Sequence, residues 1–291
     1  MSYKHYGNIG DVWKHLPLCS ILEIEQPRTY VETNSASPHY LLDRSPRREY
    51  GVYTFFKRMK QSALLRKSLY TNLISKMKEN QDKLTAYLGS PGLSMRILGT
   101  NSKELIYFDL EKEALNRIQE HSRMLGLQDK VKTLNTDSIM ATLEMLPALN
   151  SDDLIFFDPY YPFKEGKGGN SFFDVFINST EHQIMSIFWY CYFTLKEKHK
   201  IKKKIRESVM SNPIVDKNVK SFEILLKIIE EDSLTVNPGV LGCGLLVSNL
   251  SSRSLKTLND QSSELVKIYR GTKLFGKYPG DLIKEIIPPK D

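Results

Sequence analysis

Three short apolar segments of the sequence are each followed by an aspartate, and this repeated pattern constrains the fold more than any other feature. The aspartates are Asp109, Asp137 and Asp158. Short apolar runs of this kind are typical of strands buried in a parallel sheet, and helix-like stretches follow the first two aspartates. We therefore predict an α/β fold in which the three aspartates meet at the carboxyl edge of the sheet, where open α/β sheets bind their ligands.

The motif Asp158-Pro159-Tyr160-Tyr161 follows one of these strands. It suits a planar, hydrogen-bonding ligand such as a nucleobase, because a carboxylate can accept a proton from an exocyclic amine. An aromatic ring stacked on the base would contribute about 1–3 kcal/mol. The alternative is purely structural, since Asp-Pro pairs also start turns. The motif taken alone leaves both interpretations open.

The charge of the chain is compatible with a polyanionic partner. Its 291 residues carry a net charge of +7, and lysines and arginines that neutralise phosphates supply most non-specific affinity for nucleic acids. Basic residues are densest at positions 196–206. That run fits an RNA-facing patch, and it fits a solvated helix face equally well.

The remaining features of the sequence predict a cytoplasmic protein without a membrane span, and we expect it to be a monomer. No run of about 18 or more apolar residues is present, and the start of the chain lacks the apolar core of a secretory signal. Cys19, Cys191 and Cys243 form no spaced pair that would indicate zinc or a disulfide framework, so we expect no metal.

We predict two structural units. Residues 1–42 and 89–291 are expected to form a Rossmann-like domain with helices on both faces of its sheet, and residues 43–88 a basic helical insertion without strands that could contact RNA. Asp11 is a candidate N-cap for the first helix. The other predicted elements are strands at 29–32, 184–194 and 233–236, helices at 93–98 and 221–230, and a glycine-rich strand at 239–249 that lies close to a neighbouring backbone in a terminal hairpin.

An ordered set of motifs extends over nearly the whole chain. Its members are Ser2-Tyr3-Lys4-His5, residues 7–15, Glu49-Tyr50, Gly89-Ser90-Pro91, Asp109, Asp137-Ser138 and residues 158–161. This order resembles the ribosomal RNA large subunit methyltransferase J family, which are S-adenosylmethionine-dependent adenine-N6 methyltransferases of 23S ribosomal RNA. The whole set is far more specific than any single member of it.

The resemblance implies a Rossmann-like methyltransferase sheet, S-adenosylmethionine as cofactor, no metal, and ribosomal RNA outside the assembled particle as substrate. It implies three groups of site residues. The catalytic residues would be Asp158, Pro159 and Tyr161; the cofactor-binding residues His15, Asn34, Ser90, Asp109, Asp137, Ser138 and Asp158; and the substrate-binding residues Tyr3, Lys4 and Lys14.

The sequence departs from the family pattern at four places. Residues 32–38 lack the two glycines of the family's first loop, and Asn34 stands where the family has a histidine. Ser138 replaces a glycine, and Tyr160 replaces the second proline of the catalytic motif. A glycine-free loop allows a ligand less close an approach to the backbone. The alternative function is therefore a catalytically silent relative that binds RNA or DNA through its basic residues.

Overall fold

The computed structural model describes residues 6–80, 83–227, 239–274, 276 and 278–286. Its strands are β1 (Thr29–Glu32), β2 (His39–Leu41), β3 (Lys78–Asn80), β4 (Lys83–Leu84), β5 (Ala86–Leu88), β6 (Glu104–Phe108), β7 (Val131–Leu134), β8 (Leu154–Phe157), β9 (Met185–Tyr192), β10 (Val219–Leu226), β11 (Gly242–Ser248), β12 (Lys273–Leu274), β13 (Tyr278–Pro279) and β14 (Leu282–Glu285).

The helices flank the main sheet. They are α1 (Ile9–Glu25), α2 (Pro46–Arg48), α3 (Thr54–Arg58), α4 (Ala63–Arg66), α5 (Leu69–Ser75), α6 (Ser90–Leu98), α7 (Lys112–Met124), α8 (Ser138–Met145), α9 (Phe172–Glu181), α10 (Leu195–Met210), α11 (Pro213–Asn218) and α12 (Ser252–Ile268). A π-helical turn spans Glu49–Tyr53, and short 3-10 turns span Met59–Gln61 and Leu146–Ala148.

Within the described residues, the main sheet has eight strands in the order β14-β10-β11-β9-β8-β1-β6-β7. Strands β7, β6, β1, β8 and β9 are parallel to one another, whereas β11 runs antiparallel between β9 and β10. The central strands β1 and β8 are buried along their whole length, as expected for strands covered on both faces. The predicted Rossmann-like α/β class is confirmed, as are the strands predicted at 29–32 and 184–194.

The helix predicted at 221–230 is wrong, because this segment begins within strand β10, which pairs with β11 and β14. A short apolar run fits a buried strand and a buried helix equally well by periodicity, and here the two neighbouring strands decide the outcome. The strand predicted at 233–236 lies outside the described residues.

The glycine-rich strand β11 is confirmed, but its glycines face side chains and not a backbone. A Cβ atom on Gly242 would lie 2.3 Å from the Tyr192 hydroxyl oxygen, and one on Gly244 would lie 2.3 Å from Cζ of Tyr190. Both tyrosines belong to the adjacent strand β9. The two glycines therefore make room for buried rings within the sheet.

The insertion differs from its prediction at its C-terminal end. Short helices and turns occupy residues 46–75, as expected, but β3, β4 and β5 follow them. Strand β5 pairs with β2, and its Tyr87 and Leu88 are buried in the core. The prediction of no strand here is wrong because these strands are too short to show an alternating pattern. The division into two domains stays a prediction.

Helix α1 begins earlier than the sequence indicated and is buried over most of its length. Asn8 and not Asp11 is its N-cap, since Asn8 Oδ1 accepts hydrogen bonds from the backbone nitrogens of Gly10 (2.7 Å) and Asp11 (3.1 Å). Asp11 closes the capping box by accepting from the Asn8 nitrogen at 3.3 Å. The helix packs against α5, α6 and α12, which places its polar residues inside the molecule.

The basic run at 196–206 forms part of α10 and is only partly a solvated face. Lys198 is buried and pairs with Glu285 at 2.8 Å. Lys202 pairs with Glu285 and, at 2.8 Å, with Glu223, which is completely buried on β10. These ion pairs hold α10 against strands β10 and β14 of the sheet. Lys203, in contrast, is exposed beside Glu207.

We expect Lys202→Met to destabilise the protein by about 3–5 kcal/mol, because it leaves the Glu223 carboxylate buried without its cation. Lys203→Met in the same helix removes an exposed charge and should change the free energy of unfolding by no more than about 0.5 kcal/mol. Chemical denaturation of the two variants measures the difference. Equal stabilities would show that the buried pair does not anchor α10.

Candidate active site

A cavity of about 920 Å³ opens at the carboxyl ends of the central strands. Asp109 after β6, Asp137 at the start of α8 and Asp158 after β8 all line it, so the predicted meeting of the three aspartates is found. The other predicted site residues on its wall are Lys14, His15, Asn34, Ser90, Ser138, Pro159 and Tyr161. Tyr3 and Lys4 lie outside the described residues.

An ion pair joins helix α1 to the end of β8 inside the cavity. Lys14 Nζ lies 2.6 Å from Asp158 Oδ2 and 3.1 Å from Asp11 Oδ1, and the side chains of Lys14 and Asp158 are each 11% exposed. The same ammonium lies 4.8 Å from the centroid of the Trp189 ring. The Lys14 charge therefore contacts two carboxylates and an aromatic face, an arrangement that the sequence did not reveal.

The ion pair sets the protonation states at this point of the cavity. Burial raises the pKa of Asp158 to about 6, although the Lys14 charge acts in the opposite direction. Burial by itself lowers the pKa of Lys14, but the carboxylates of Asp158 and Asp11 outweigh it and raise that pKa above its ordinary value. Near neutral pH, Lys14 is therefore charged and Asp158 is mainly a carboxylate, which is the form that can accept hydrogen bonds.

Asp109 holds the loop that follows β1. Its Oδ2 accepts a hydrogen bond from the Ala36 nitrogen at 2.8 Å, and its Oδ1 accepts one from the Glu111 nitrogen at 2.8 Å. Ala36 has a φ of 55°, in the left-handed region that favours glycine. The loop thus adopts a glycine-like turn in the segment where the resembling family has glycines, and Asp109 stabilises that turn.

The backbone of the first loop lies close to the start of α6 at the glycines of residues 89–92. A Cβ atom on Gly89 would lie 2.1 Å from the Ser37 carbonyl oxygen, and one on Gly92 would lie 2.1 Å from that of Pro38. Ser90 Oγ donates a 2.5 Å hydrogen bond to Glu32 Oε1 at the end of β1. The first loop and the start of α6 therefore form one tightly packed wall of the cavity.

Three further predicted residues have defined partners. His15 Nδ1 lies 2.7 Å from the Tyr87 hydroxyl, while its buried Nε2 has no hydrogen-bond partner among the described residues. Burial and the Lys14 charge lower the pKa of His15, so the ring is neutral. Asp137 caps α8 by accepting from the Ile139 nitrogen at 3.0 Å, and Asn34 Oδ1 accepts from Thr33 Oγ1 at 2.8 Å.

The sheet order and the aspartate-lined cavity define a protein with a Rossmann-like α/β fold and a cavity at the carboxyl edge of its sheet. The family described as conserved hypothetical protein 95 matches residues 61–207, just over half of the chain. The chain belongs to that family. No curated protein is similar enough in sequence to count as a match.

Among solved structures, protein LPL1258 from Legionella pneumophila str. Philadelphia 1 shares the fold. The TM-score is 0.76 at 22% sequence identity, covering 98% of this chain and 99% of that chain. An rRNA methylase from Streptococcus thermophilus gives a TM-score of 0.40 at 8% identity, covering 80% and 95%. An O-methyltransferase from Bacillus cereus in complex with SAH gives 0.41 at 11% identity, covering 81% and 80%. The last two similarities are too low to support an argument about function.

Two further expectations from the sequence concern a membrane and a metal. None of the helices in the described ranges is long and apolar enough to cross a membrane. Within those same ranges, no group of three or more histidine, cysteine, aspartate or glutamate side chains is arranged to hold a metal ion.

We expect Lys14→Met to raise the pKa of Asp158 by about 1–3 pH units, because a neighbouring cation lowers the pKa of a carboxylate by about that amount. Carbon-13 NMR titration of the aspartate carboxyl groups measures it, with Asp158→Asn identifying the resonance. Lys14→Arg keeps the positive charge and is the matched control, for which a smaller change is expected. An unchanged Asp158 pKa in Lys14→Met would contradict the described pairing.

Proposed function

We propose that this protein is an S-adenosylmethionine-dependent methyltransferase that acts on the N6 amine of adenine in RNA, with 23S ribosomal RNA as the substrate that the family resemblance favours. The observation that carries the proposal is the placement of Asp158. Its carboxylate lies at the end of β8, lines the cavity together with Pro159, and is followed by the exposed ring of Tyr161.

The size and lining of the cavity support a site for the cofactor together with a base. Its volume of about 920 Å³ is near the upper end of ordinary ligand pockets, which hold about 300–1,000 Å³. The buried Nε2 of His15 is available for a polar ligand atom, and carboxylates suit ribose hydroxyls and a cationic ligand. The residues that would hold the cofactor are His15, Asn34, Ser90, Asp109, Asp137 and Ser138.

When bound, S-adenosylmethionine supplies an electrophilic methyl group on a positively charged sulfur. The residues of this chain prepare the acceptor. The lone pair of an adenine N6 is delocalised into the ring, so the amine is a poor nucleophile. Hydrogen bonds from its two hydrogens to the Asp158 carboxylate and the Pro159 carbonyl would favour the geometry that frees the lone pair.

Lys14 and Tyr161 complete this arrangement. Lys14 favours the ionised form of Asp158, which keeps the carboxylate ready to accept a hydrogen bond from the amine. Tyr161 would stack on the extruded base and hold it in the cavity. Tyr3, Lys4 and Lys14 stay predicted contacts of the substrate.

We expect Asp158→Ala to abolish methyl transfer while S-adenosylmethionine still binds, because Asp158 acts on the amine of the base. Formation of S-adenosylhomocysteine measures transfer, and calorimetric titration measures cofactor binding. Asp152→Ala, at an exposed aspartate before β8, is the control and should leave both unchanged. Undiminished transfer in Asp158→Ala would refute the role of this residue.

The same calorimetric titration distinguishes the enzyme from the alternative function, a catalytically silent relative that binds nucleic acid. The observation that favours the alternative is the glycine-free first loop, in which Ala36 takes the left-handed conformation. Saturable binding of S-adenosylmethionine supports the enzyme. No detectable binding up to millimolar cofactor would leave only the nucleic-acid-binding function.

The insertion offers a second test, which concerns its predicted contact with RNA. Arg48 is not available, because it is buried, pairs with Asp43 and lies with its guanidinium carbon 4.0 Å from the Tyr6 ring centroid. Arg47 lines the cavity and Lys57 is exposed on α3. These two residues are therefore the better targets for charge reversal.

We expect the double variant Arg47→Glu and Lys57→Glu to bind RNA more weakly and with a smaller salt dependence. The slope of log affinity against log salt should fall by about 1 for each lysine or arginine that no longer neutralises a phosphate. Fluorescence anisotropy at several salt concentrations measures it. The control is the double variant Lys103→Glu and Lys217→Glu, which reverses two exposed charges away from the cavity and changes the net charge by the same amount. An affinity that falls no further than in the control would show that Arg47 and Lys57 do not bind RNA.

A further inference from the structure

The rim of the cavity carries two exposed aromatic rings where the proposed chemistry uses one. Tyr160 is 64% exposed and Tyr161 is 63% exposed, and both line the cavity. Their ring centroids are 4.7 Å apart, and their planes meet at 86°. Tyr160 stands where the resembling family has a proline, so the second ring belongs to this chain and not to the family pattern.

The chain is held in place on both sides of the two exposed rings, by packing and by a hydrogen bond. Pro159 and Pro162 are buried, and the Pro162 carbonyl accepts a hydrogen bond from the Phe173 nitrogen at 3.1 Å. The Phe163 ring packs against Phe173, with centroids 5.2 Å apart. The backbone is therefore fastened immediately before and after the tyrosines, and both rings are presented to solvent at the cavity mouth.

The perpendicular arrangement decides what the second ring can bind. A base stacked on Tyr161 lies nearly perpendicular to a base stacked on Tyr160, whereas successive bases in a regular strand are stacked parallel to one another. The two rings can hold adjacent bases only if the strand turns sharply between them. Such a turn requires unpaired, unstacked nucleotides, for which aromatic side chains are common platforms.

Positive charge lies beside the pair. Lys164 and Lys167 belong to the same loop and line the cavity, and Lys164 Nζ is 5.7 Å from the centroid of the Tyr161 ring. A lysine at that position can neutralise the phosphate that links a base on Tyr161 to its neighbour. The Tyr161 ring, the Lys164 charge and the Tyr160 ring together suit one base, the following phosphate and the next base of a single strand.

We propose that Tyr160 forms a second base-binding subsite, which stacks on the nucleotide next to the target adenine in an unpaired stretch of RNA. The inference rests on the proposed function for the identity of the target base. The subsite makes the protein prefer an adenine within a single strand to an isolated nucleotide.

Equilibrium binding tests the subsite without requiring turnover. The probes are adenosine monophosphate and RNA trinucleotides with a central adenine and 2-aminopurine on its 5′ or 3′ side, whose fluorescence is quenched by stacking. We expect Tyr160→Ala to bind one of the trinucleotides about 5- to 150-fold more weakly, without quenching, and to bind the mononucleotide as the wild type does. Tyr160→Phe keeps the ring and should match the wild type with all probes.

Two results would overturn the subsite. One is trinucleotide binding and quenching in Tyr160→Ala equal to those of the wild type, and the other is an equal decrease of affinity for the mononucleotide and the trinucleotides. A different result would reject the proposed activity without rejecting the subsite. Tyr160-dependent quenching without any methyl transfer to RNA would reject the activity and keep the subsite.

Discussion

The ion pair between Lys14 and Asp158 is the interaction on which the site depends. It joins the buried helix α1 to the end of β8, and it keeps a nearly buried carboxylate ionised near neutral pH. Without a cation beside it, burial would favour the neutral acid, which accepts hydrogen bonds less well. A single contact thus connects the packing of α1 to the chemistry proposed for the amine of the substrate.

The wall formed by the first loop and α6 shows how the chain keeps the Rossmann-like fold without glycines in that loop. Ala36 adopts the left-handed turn, and Asp109 stabilises it through the Ala36 nitrogen. Gly89 and Gly92 allow the first loop and α6 to pack closely. The absence of glycine from the loop is therefore compatible with an open cavity, because the close packing is made possible at the neighbouring helix.

The sequence predicts the carboxyl edge of the sheet well and its antiparallel side poorly. Asp109, Asp137 and Asp158 can be placed together because each follows a short apolar segment, and parallel strands bring their carboxyl ends to one edge. Strand β10 is predicted as a helix because its apolar run has no decisive period. The pairing of Lys14 with Asp158 joins residues 144 positions apart, and no local pattern encodes such a contact.

The proposed activity of the aspartate-lined cavity is the transfer of a methyl group to the N6 amine of adenine in RNA. The most direct test is to incubate the protein with total RNA and S-adenosylmethionine that carries tritium in its methyl group, then digest the RNA and separate the nucleosides. We expect radioactivity in N6-methyladenosine. Unlabelled RNA, or label in any other nucleoside, would contradict it.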